Sequence, residues 1–423
     1  MASFSFSFSG DDIEDDGAIG TTQDAASAPS ASGLQTQQTQ GVALVTPTPV
    51  AAPAASAFPV QGKPQLPPQR HDLKEMLSKL PSKIAFSLLD VTLDRRDDSE
   101  ASREEPYRIR LPRRELWDVK VQLMAEEDAE EGADVNSGGE LAPGLGTHDV
   151  KTGIYEGGFK SWESSVDLVK VLLQPPSASA STSTSSTPEP SAVASTVLLR
   201  DGPSHVIELG CGTALPSLAL FHWACATAAS RSHRLSITVA DYNPSVLYLV
   251  TLPNFLLAWA LQQHDASPLL QQALSFDDED GGDESGELEL TDEVKDAFCA
   301  FLGSSNITLS FLSGGWSAEF IDLLYESSTT DAQPTAHTLI LGAETIYSPF
   351  ALESFSVTLL SILQRENSSS NTVTAVIGAK KLYFGVGGSL DDFVYRMRDA
   401  GATVNELREE ADGVRRGVVQ CLL

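Results

Sequence analysis

The chain has 423 residues, of which 41% are hydrophobic, enough to form a large core. Its 58 acidic side chains against 28 basic ones give a formal net charge of −30, which argues against phosphate-mediated binding of nucleic acid. A basic protein partner fits this charge, although any single acidic run can also serve solubility alone.

The cysteines and the start of the chain predict a cellular compartment. The four cysteines show no metal-ligand spacing, so we expect no metal site and a reducing environment. No leader with a basic and then an apolar part is evident, and no apolar run approaches the ~20 residues that span a bilayer. We therefore expect a soluble, monomeric protein of the cytoplasm and nucleus that makes no membrane contact.

Composition divides the chain into three parts. Residues 1–69 are rich in Ser, Ala, Pro, Gln and Thr and lack the apolar periodicity that would offset ordering entropy, so they predict a disordered tail. Residues 70–150 are interpreted as an accessory segment with an acidic linker, and residues 151–423 as the main domain. Low-complexity and acidic stretches near residues 174–200 and 265–295 are interpreted as insertions in that domain.

The pattern of an apolar strand, a Gly-x-Gly turn and an Ala/Leu-rich helix predicts a nucleotide-cofactor loop. Gly210 and Gly212 permit a sharp turn and a close approach to a ligand, and the following helix directs free N–H groups toward it. Leu215 replaces the third glycine of a dinucleotide fingerprint, and Glu208 precedes the turn. A carboxylate there repels phosphate but suits sulfonium and amino groups, which favours S-adenosylmethionine. The alternatives are an ordinary tight turn and a capping role for Glu208.

Strands and helices continue to alternate after this loop. A strand at residues 235–240 ends in Asp241, where a carboxylate can accept hydrogen bonds from both ribose hydroxyls, so Asp241 is our predicted ribose ligand. Further strands are predicted at residues 206–209, 306–312, 338–341, 372–377, 404–407 and 417–422, and helices at residues 164–173, 215–229, 350–364 and 390–400. This order predicts an α/β fold, a Rossmann-like, seven-stranded, mostly parallel, doubly wound sheet with ligand loops at its carboxyl edge.

Other motifs occur in one order along the chain, at residues 154–164 (Ile-Tyr-Glu-Gly-Gly-Phe-Lys-Ser-Trp-Glu-Ser), 241–243 (Asp-Tyr-Asn), 251–254 (Thr-Leu-Pro-Asn), 344–347 (Glu-Thr-Ile-Tyr) and 383–388 (Tyr-Phe-Gly-Val-Gly-Gly). Together with the glycine loop, they resemble the protein-histidine N-methyltransferases, the fungal histidine protein methyltransferase family and its animal relatives. The resemblance covers most of the chain from about residue 107 onward. It implies a class I fold, S-adenosylmethionine as cofactor, and methyl transfer to a ring nitrogen of a histidine in the third large-subunit ribosomal protein, a basic substrate.

The resemblance also implies roles for aromatic and acidic residues near the cofactor. Trp162 and Glu163 would wall its methionine end, where we also place Glu208. Independently of the resemblance, Gly314 and Trp316 follow the third predicted strand, where adenine is expected to pack, and an indole offers a π-face for it. The alternatives are a core tryptophan at position 162 and the start of a surface helix at position 316.

Glu344 and Tyr347 are the candidates for orienting the acceptor imidazole, because they follow the fourth strand. Neutral imidazole already carries a lone pair at pH 7, so alignment matters more than a strong base. A purely structural role for both residues is the alternative. The glycine-rich loop at residues 384–388 either closes over the acceptor or only permits a turn, and none of the seven histidines is given a catalytic role.

Two other classes of function remain open from the sequence. A protein-lysine methyltransferase of the same fold would share almost every cofactor feature, and a non-catalytic module that binds ribosomal proteins would need none of them. A methyltransferase for nucleic-acid bases is disfavoured, because Gly-Ala-Glu-Thr-Ile-Tyr at residues 342–347 is not the Asn/Asp-Pro-Pro-aromatic loop used for exocyclic amines.

Overall fold

The computed structural model describes residues 65–94, 106–131, 158–176, 187–277, 285–326, 335–369, 371–385 and 387–423. Most of the predicted tail, motif residues 154–157 and the Ser-rich stretch 177–186 lie outside the described residues.

Strands and helices alternate through most of the described chain. The strands are β1 (Gln69–His71), β2 (Lys83–Thr92), β3 (Arg108–Arg114), β4 (Leu173–Gln174), β5 (Glu189–Pro190), β6 (Ser204–Leu209), β7 (Leu235–Asp241), β8 (Leu274–Phe276), β9 (Ser285–Glu289), β10 (Ile307–Ser313), β11 (His337–Ala343), β12 (Thr372–Lys380), β13 (Thr403–Glu410) and β14 (Arg416–Leu422). The helices are α1 (Leu73–Ser78), α2 (Leu116–Glu131), α3 (Glu163–Leu172), α4 (Ala192–Leu198), α5 (Leu215–Ala226), α6 (Pro244–Val246), α7 (Leu252–Gln263), α8 (Pro268–Ala273), α9 (Asp292–Ser304), α10 (Ala318–Tyr325), α11 (Pro349–Ser368) and α12 (Leu390–Asp399).

The main sheet has the strand order β1-β10-β7-β6-β11-β12-β14-β13. The five strands from β10 to β12 run parallel, and β14 lies antiparallel to both β12 and β13. These seven strands are the ones predicted from the sequence, so the Rossmann-like class I fold is confirmed. An eighth strand, β1, adds an antiparallel edge beside β10.

Helices cover both faces of this sheet, because the residues of β6 are buried on both faces. Every residue of β6 is buried, and alternate side chains enter different cores. Val206 packs in the cluster that contains Phe221 of α5, whereas Ile207 and Leu209 pack in the cluster that contains Phe355 of α11. The carboxyl ends of the parallel strands are thereby held at one edge between the two helical layers.

A second sheet has the order β3-β2-β9-β8 and is antiparallel. Its strands β8 and β9 lie in the segment 265–295, which the sequence analysis interprets as an insertion of acidic, low-complexity character. That interpretation is wrong for these strands, because Gly286 and Leu288 are buried and alternate with exposed or half-buried neighbours, the pattern of a half-buried strand. The accessory segment and this insertion therefore form one sheet.

The other predicted insertion, near residues 174–200, also contains regular structure. Helix α4 begins after Ser191, whose hydroxyl accepts a hydrogen bond from the Ala194 N–H, and it buries Ala194, Val197 and Leu198. Its seven residues are too short for a clear helical period in a Ser-rich context, which is why the sequence analysis missed it. The predicted tail likewise ends before residue 69, because Gln69 lies in β1.

The helical run Pro244–Ala266 corrects the expectation about apolar runs. It has 23 residues, and its 18-residue apolar window has a mean hydropathy of 1.5, so by length and composition it could cross a membrane. Inside this fold, 78% of that apolar window is buried, which is the pattern of a core helix.

Candidate functional site

A cavity opens at the carboxyl edge of the main sheet, where the loops after β6, β7, β10 and β11 meet. It encloses about 100 Å³, and about 870 Å³ when the open solvent at its mouth is included. The predicted site residues that line it are Trp162, Gly210, Gly212, Asp241, Gly314, Trp316, Glu344 and Tyr347. The parallel strands thus bring together residues up to 185 positions apart, since Trp162 and Tyr347 share one wall.

The glycine loop is shaped by a close approach of two backbone segments. Gly212 has φ 51°, and a Cβ at this position would lie 3.2 Å from the Gly158 Cα. The Ser161 and Thr213 hydroxyls are 2.9 Å apart and tie the same two segments together. The two glycines therefore pack backbone against backbone with no room for a side chain at Gly212, and both line the cavity.

Two buried side chains near the start of α7 hold the glycine loop by hydrogen bonds to its carbonyl groups. The Thr251 hydroxyl donates to the Gly212 carbonyl at 2.7 Å, and the Asn254 amide donates to the Thr213 carbonyl at 3.0 Å. The Asn254 side-chain oxygen also accepts from the Arg114 N–H at 2.8 Å. Residues 251–254 form one of the sequence motifs, but no role was predicted for them. The polar pair in an otherwise apolar helix is the signal that could have identified them as supports of the loop.

Asp241 lies at the end of β7 and is 8% exposed. Its carboxylate accepts the Gly212 N–H at 3.0 Å and the Asn243 N–H at 3.1 Å. These two contacts hold the carboxylate at the cavity wall beside the glycine loop. Asp241 lines the cavity, and its role as a ribose ligand stays a prediction.

Glu208 and Glu163 are not among the side chains that line the cavity. Glu208 instead accepts the Ser217 N–H at 2.9 Å and so caps the first turn of α5, the alternative that the sequence left open. Burial raises the pKa of Glu208 to about 7. Glu163 accepts from the Arg416 guanidinium at 3.1 Å, which turns its carboxylate toward β14.

Glu344 forms the polar end of the cavity. Its carboxylate accepts hydrogen bonds from the Ser164 hydroxyl and, at 2.5 Å, from the Tyr383 hydroxyl. Burial raises the pKa of Glu344, and the nearby Lys380 ammonium opposes this rise. Glu344 also has φ 57°, a left-handed conformation that is uncommon for a residue with a side chain and is typical of functional positions.

Aromatic rings and a cation surround this polar end. The Lys380 ammonium lies 5.1 Å from the centroid of the Trp162 ring and 5.6 Å from that of Tyr383. The Tyr347 carbonyl accepts from the Gly388 N–H at 3.0 Å, so the glycine-rich loop is tied to the cavity wall. Phe384 in that loop is 76% exposed.

One buried hydroxyl of the lining has no hydrogen-bond partner within the described part of the chain. It belongs to Thr345, which faces the glycine loop. A Cβ placed at Gly210 would lie 2.7 Å from the Thr345 methyl group, so the two residues pack directly. The Thr345 hydroxyl is therefore a buried polar group whose partner is not among the described residues.

The chain is similar to known methyltransferases. It is 36% identical to histidine protein methyltransferase 1 of Saccharomyces cerevisiae over 322 residues, which are 75% of each chain. It is 31% identical to the protein of the same name from Schizosaccharomyces pombe over 313 residues, 72% of this chain and 75% of that one. The mouse homologue is 26% identical over 274 residues, 64% of this chain and 58% of its own length.

No family model matches the chain. A solved structure of the N-terminal domain of human METTL16 in complex with SAH covers 52% of this chain and 61% of its own at 10% identity and a TM-score of 0.25. That likeness is too low to support an argument.

Proposed function

Because this chain is a methyltransferase that belongs to the histidine protein methyltransferase 1 family, we propose that it methylates a histidine ring nitrogen in a basic large-subunit ribosomal protein, the third by name, with S-adenosylmethionine as methyl donor. One observation carries the proposal: a single cavity joins a bare-backbone cradle beside Asp241 to the buried carboxyl group of Glu344.

The cradle end suits an S-adenosylmethionine nucleoside. Gly158 and Gly212 both line this end without side chains, the Asp241 carboxylate lies beside them as a hydrogen-bond acceptor suited to ribose hydroxyls, and the buried Thr345 hydroxyl has no partner among the described residues. Bound S-adenosylmethionine would supply a methyl group on a cationic sulfonium. Trp162 lines the cavity, and its ring lies 5.1 Å from the Lys380 ammonium.

The polar end suits an imidazole acceptor. A neutral imidazole presents one nitrogen lone pair for methylation and one N–H that must be held in the right tautomer. The Glu344 carboxylate keeps lone pairs beyond the two that Ser164 and Tyr383 occupy, and so can accept that N–H. Positioning of this kind supplies most of the acceleration expected for a good nucleophile.

The Glu344 carboxylate can also accept the proton that the methylated ring must lose. Methylation makes the ring an imidazolium, whose remaining N–H must lose its proton to restore the neutral product. Since burial raises the pKa of Glu344, its carboxylate is a better proton acceptor than an exposed glutamate. The Ser164 and Tyr383 hydroxyls hold it in place during that transfer.

The test is incubation of the full chain with isotopically labelled S-adenosylmethionine and a ribosomal protein extract, followed by mass spectrometry of the labelled peptide. We expect label on one histidine. With an imidazole acceptor, kcat/KM falls as the pH drops through ~6.5, because protonation removes the attacking lone pair, whereas an unassisted lysine acceptor gains rate toward pH ~10. Label on lysine or on RNA, or no transfer at all, contradicts the proposal.

A further inference from the structure

A short segment at residues 65–68 lies across one end of the cavity. It directly precedes β1, which pairs antiparallel with β10 so that Gln69 stands opposite Ser313. Because β10 ends at Ser313, the chain before Gln69 continues past the carboxyl edge of the sheet and over the loop that follows β10. We call residues 65–68 the strap.

The strap is anchored through its own backbone. The Leu66 N–H donates to the Tyr242 hydroxyl at 3.0 Å, and the Leu66 carbonyl accepts from the Gly315 N–H at 2.9 Å. Pro67 and Pro68 follow, and they have no N–H to satisfy and a restricted φ that keeps the segment extended. The strap is therefore hydrogen-bonded to the loops after β7 and β10, and its two prolines restrict its backbone conformation.

The loop beneath the strap is built to receive it. Gly314 has φ 103°, and a Cβ there would overlap the Pro67 carbonyl. The Gln65 side chain lies against Gly315 in the same way, its Cβ 2.9 Å from where a Gly315 Cβ would stand. Side chains at either glycine would lift the strap from the loop.

This end of the cavity is where the base of a nucleoside would lie. Asp241, the candidate ribose ligand, is followed at once by Tyr242, and both line the cavity with Gly314, Gly315 and Trp316. Gln65 lines the same end and brings a carboxamide to it. A carboxamide has an acceptor beside a donor, which matches the adjacent donor and acceptor on an adenine edge.

We propose that the strap is part of the cofactor site and that Gln65 hydrogen-bonds the adenine base, its amide oxygen accepting from the 6-amino group. This inference rests on the proposed use of S-adenosylmethionine. It assigns a binding role to residues that composition places in a disordered tail, and it explains why Gly314 lies against the two prolines and Gly315 against Gln65.

The experiment is calorimetric titration of the full chain with S-adenosylhomocysteine. We expect Gln65→Ala to bind it about 3- to 12-fold more weakly than wild type, the range for one hydrogen bond. The matched control is Gln69→Ala, because Gln69 is the same residue type four positions on, is exposed and does not line the cavity. The control should bind as wild type does.

A cofactor analogue separates contact with the base from a looser strap. In an S-adenosylhomocysteine analogue whose base is unsubstituted purine, the 6-amino group is gone, so wild type should lose affinity and Gln65→Ala should bind both ligands within about 2-fold. The inference is overturned if Gln65→Ala binds S-adenosylhomocysteine as tightly as wild type does. It is also overturned if Gln65→Ala loses affinity equally for S-adenosylhomocysteine and for the purine analogue. No binding by the wild type overturns the proposed cofactor itself.

Discussion

Two carboxyl groups at the cavity, those of Asp241 and Glu344, are held by different kinds of donor. Backbone N–H groups hold Asp241, and side-chain hydroxyls hold Glu344. Backbone donors belong to the loop that shapes the cradle, so Asp241 couples ligand binding to loop geometry. The hydroxyls belong to α3 and to the chain after β12, so Glu344 is positioned independently of the cradle.

Asp241→Ala tests the cradle. We expect cofactor affinity to fall by about 1.5–3 kcal/mol, the range for hydrogen bonds to a charged group, while the chain still folds. Calorimetric titration with S-adenosylhomocysteine measures the loss, and Asp201→Ala, whose side chain is fully exposed, is the control. Unchanged affinity in folded Asp241→Ala would remove Asp241 from the site.

Glu344→Gln tests the polar end. The amide keeps the shape and one acceptor but cannot take the proton, so kcat should fall at least 10-fold while the affinity for S-adenosylhomocysteine stays within about 2-fold. Glu353→Gln on α11 is the control, because Glu353 is half exposed and pairs with Arg396. Equal losses in binding and in kcat would instead make Glu344 a cofactor ligand.

At the scale of elements, the turn from β6 into α5 combines a glycine loop with buried side chains that hold it in place. Glu208 at the end of the strand caps the helix, and Thr251 and Asn254 hold the loop carbonyls. The π-helical stretch Leu247–Thr251 ends at Thr251 and precedes Asn254, and π-helical turns are common at functional sites. Sequence periodicity predicts the strand and the helix but not which side chains turn toward the loop.

Glu208→Gln should change how stability depends on pH. The pKa of Glu208 is raised by burial from 4.5 to about 7, so the folded state holds this proton more tightly than the unfolded state does. The free energy of unfolding therefore falls as the pH rises from about 4.5 to 7, by up to about 3 kcal/mol from this group.

Gln keeps the acceptor for the Ser217 N–H and cannot ionise, so Glu208→Gln should lack this part of the fall. Urea unfolding at pH 5 and at pH 8 measures the difference. Parallel pH dependence in wild type and variant would show that Glu208 does not carry the raised pKa.

At the scale of the whole molecule, the net charge of −30 belongs to a protein whose proposed substrate is basic. Long-range attraction of this kind raises encounter rates and is screened by salt. We expect the KM for the ribosomal protein substrate to rise several-fold between about 50 and 300 mM NaCl, with the KM for S-adenosylmethionine nearly constant. Steady-state kinetics with each substrate varied in turn checks this, and equal salt responses would contradict steering.

The sequence predicts the main sheet well because its signals are local. Each parallel strand is a short apolar run followed by its own helix, and the residues at strand ends meet by topology, as Asp241 and Glu344 do. The side chains of Glu163 and Glu208 were misjudged because their partners, Arg416 and the first turn of α5, depend on packing. Strands β1 and β9 were missed because they are short and pair with strands far away in the sequence, and β8 was missed because it has only three residues.

The second sheet has a consequence for how the chain is made. Strand β2 pairs with β9, and the Lys83 ammonium reaches Glu287 across 204 residues of sequence. At a synthesis rate of about 5–20 residues per second, β2 and β3 leave the ribosome roughly 10–40 s before β9 can join them. During that interval β2 has an open edge, so the amino-terminal segment completes its fold only when about two-thirds of the polypeptide has emerged.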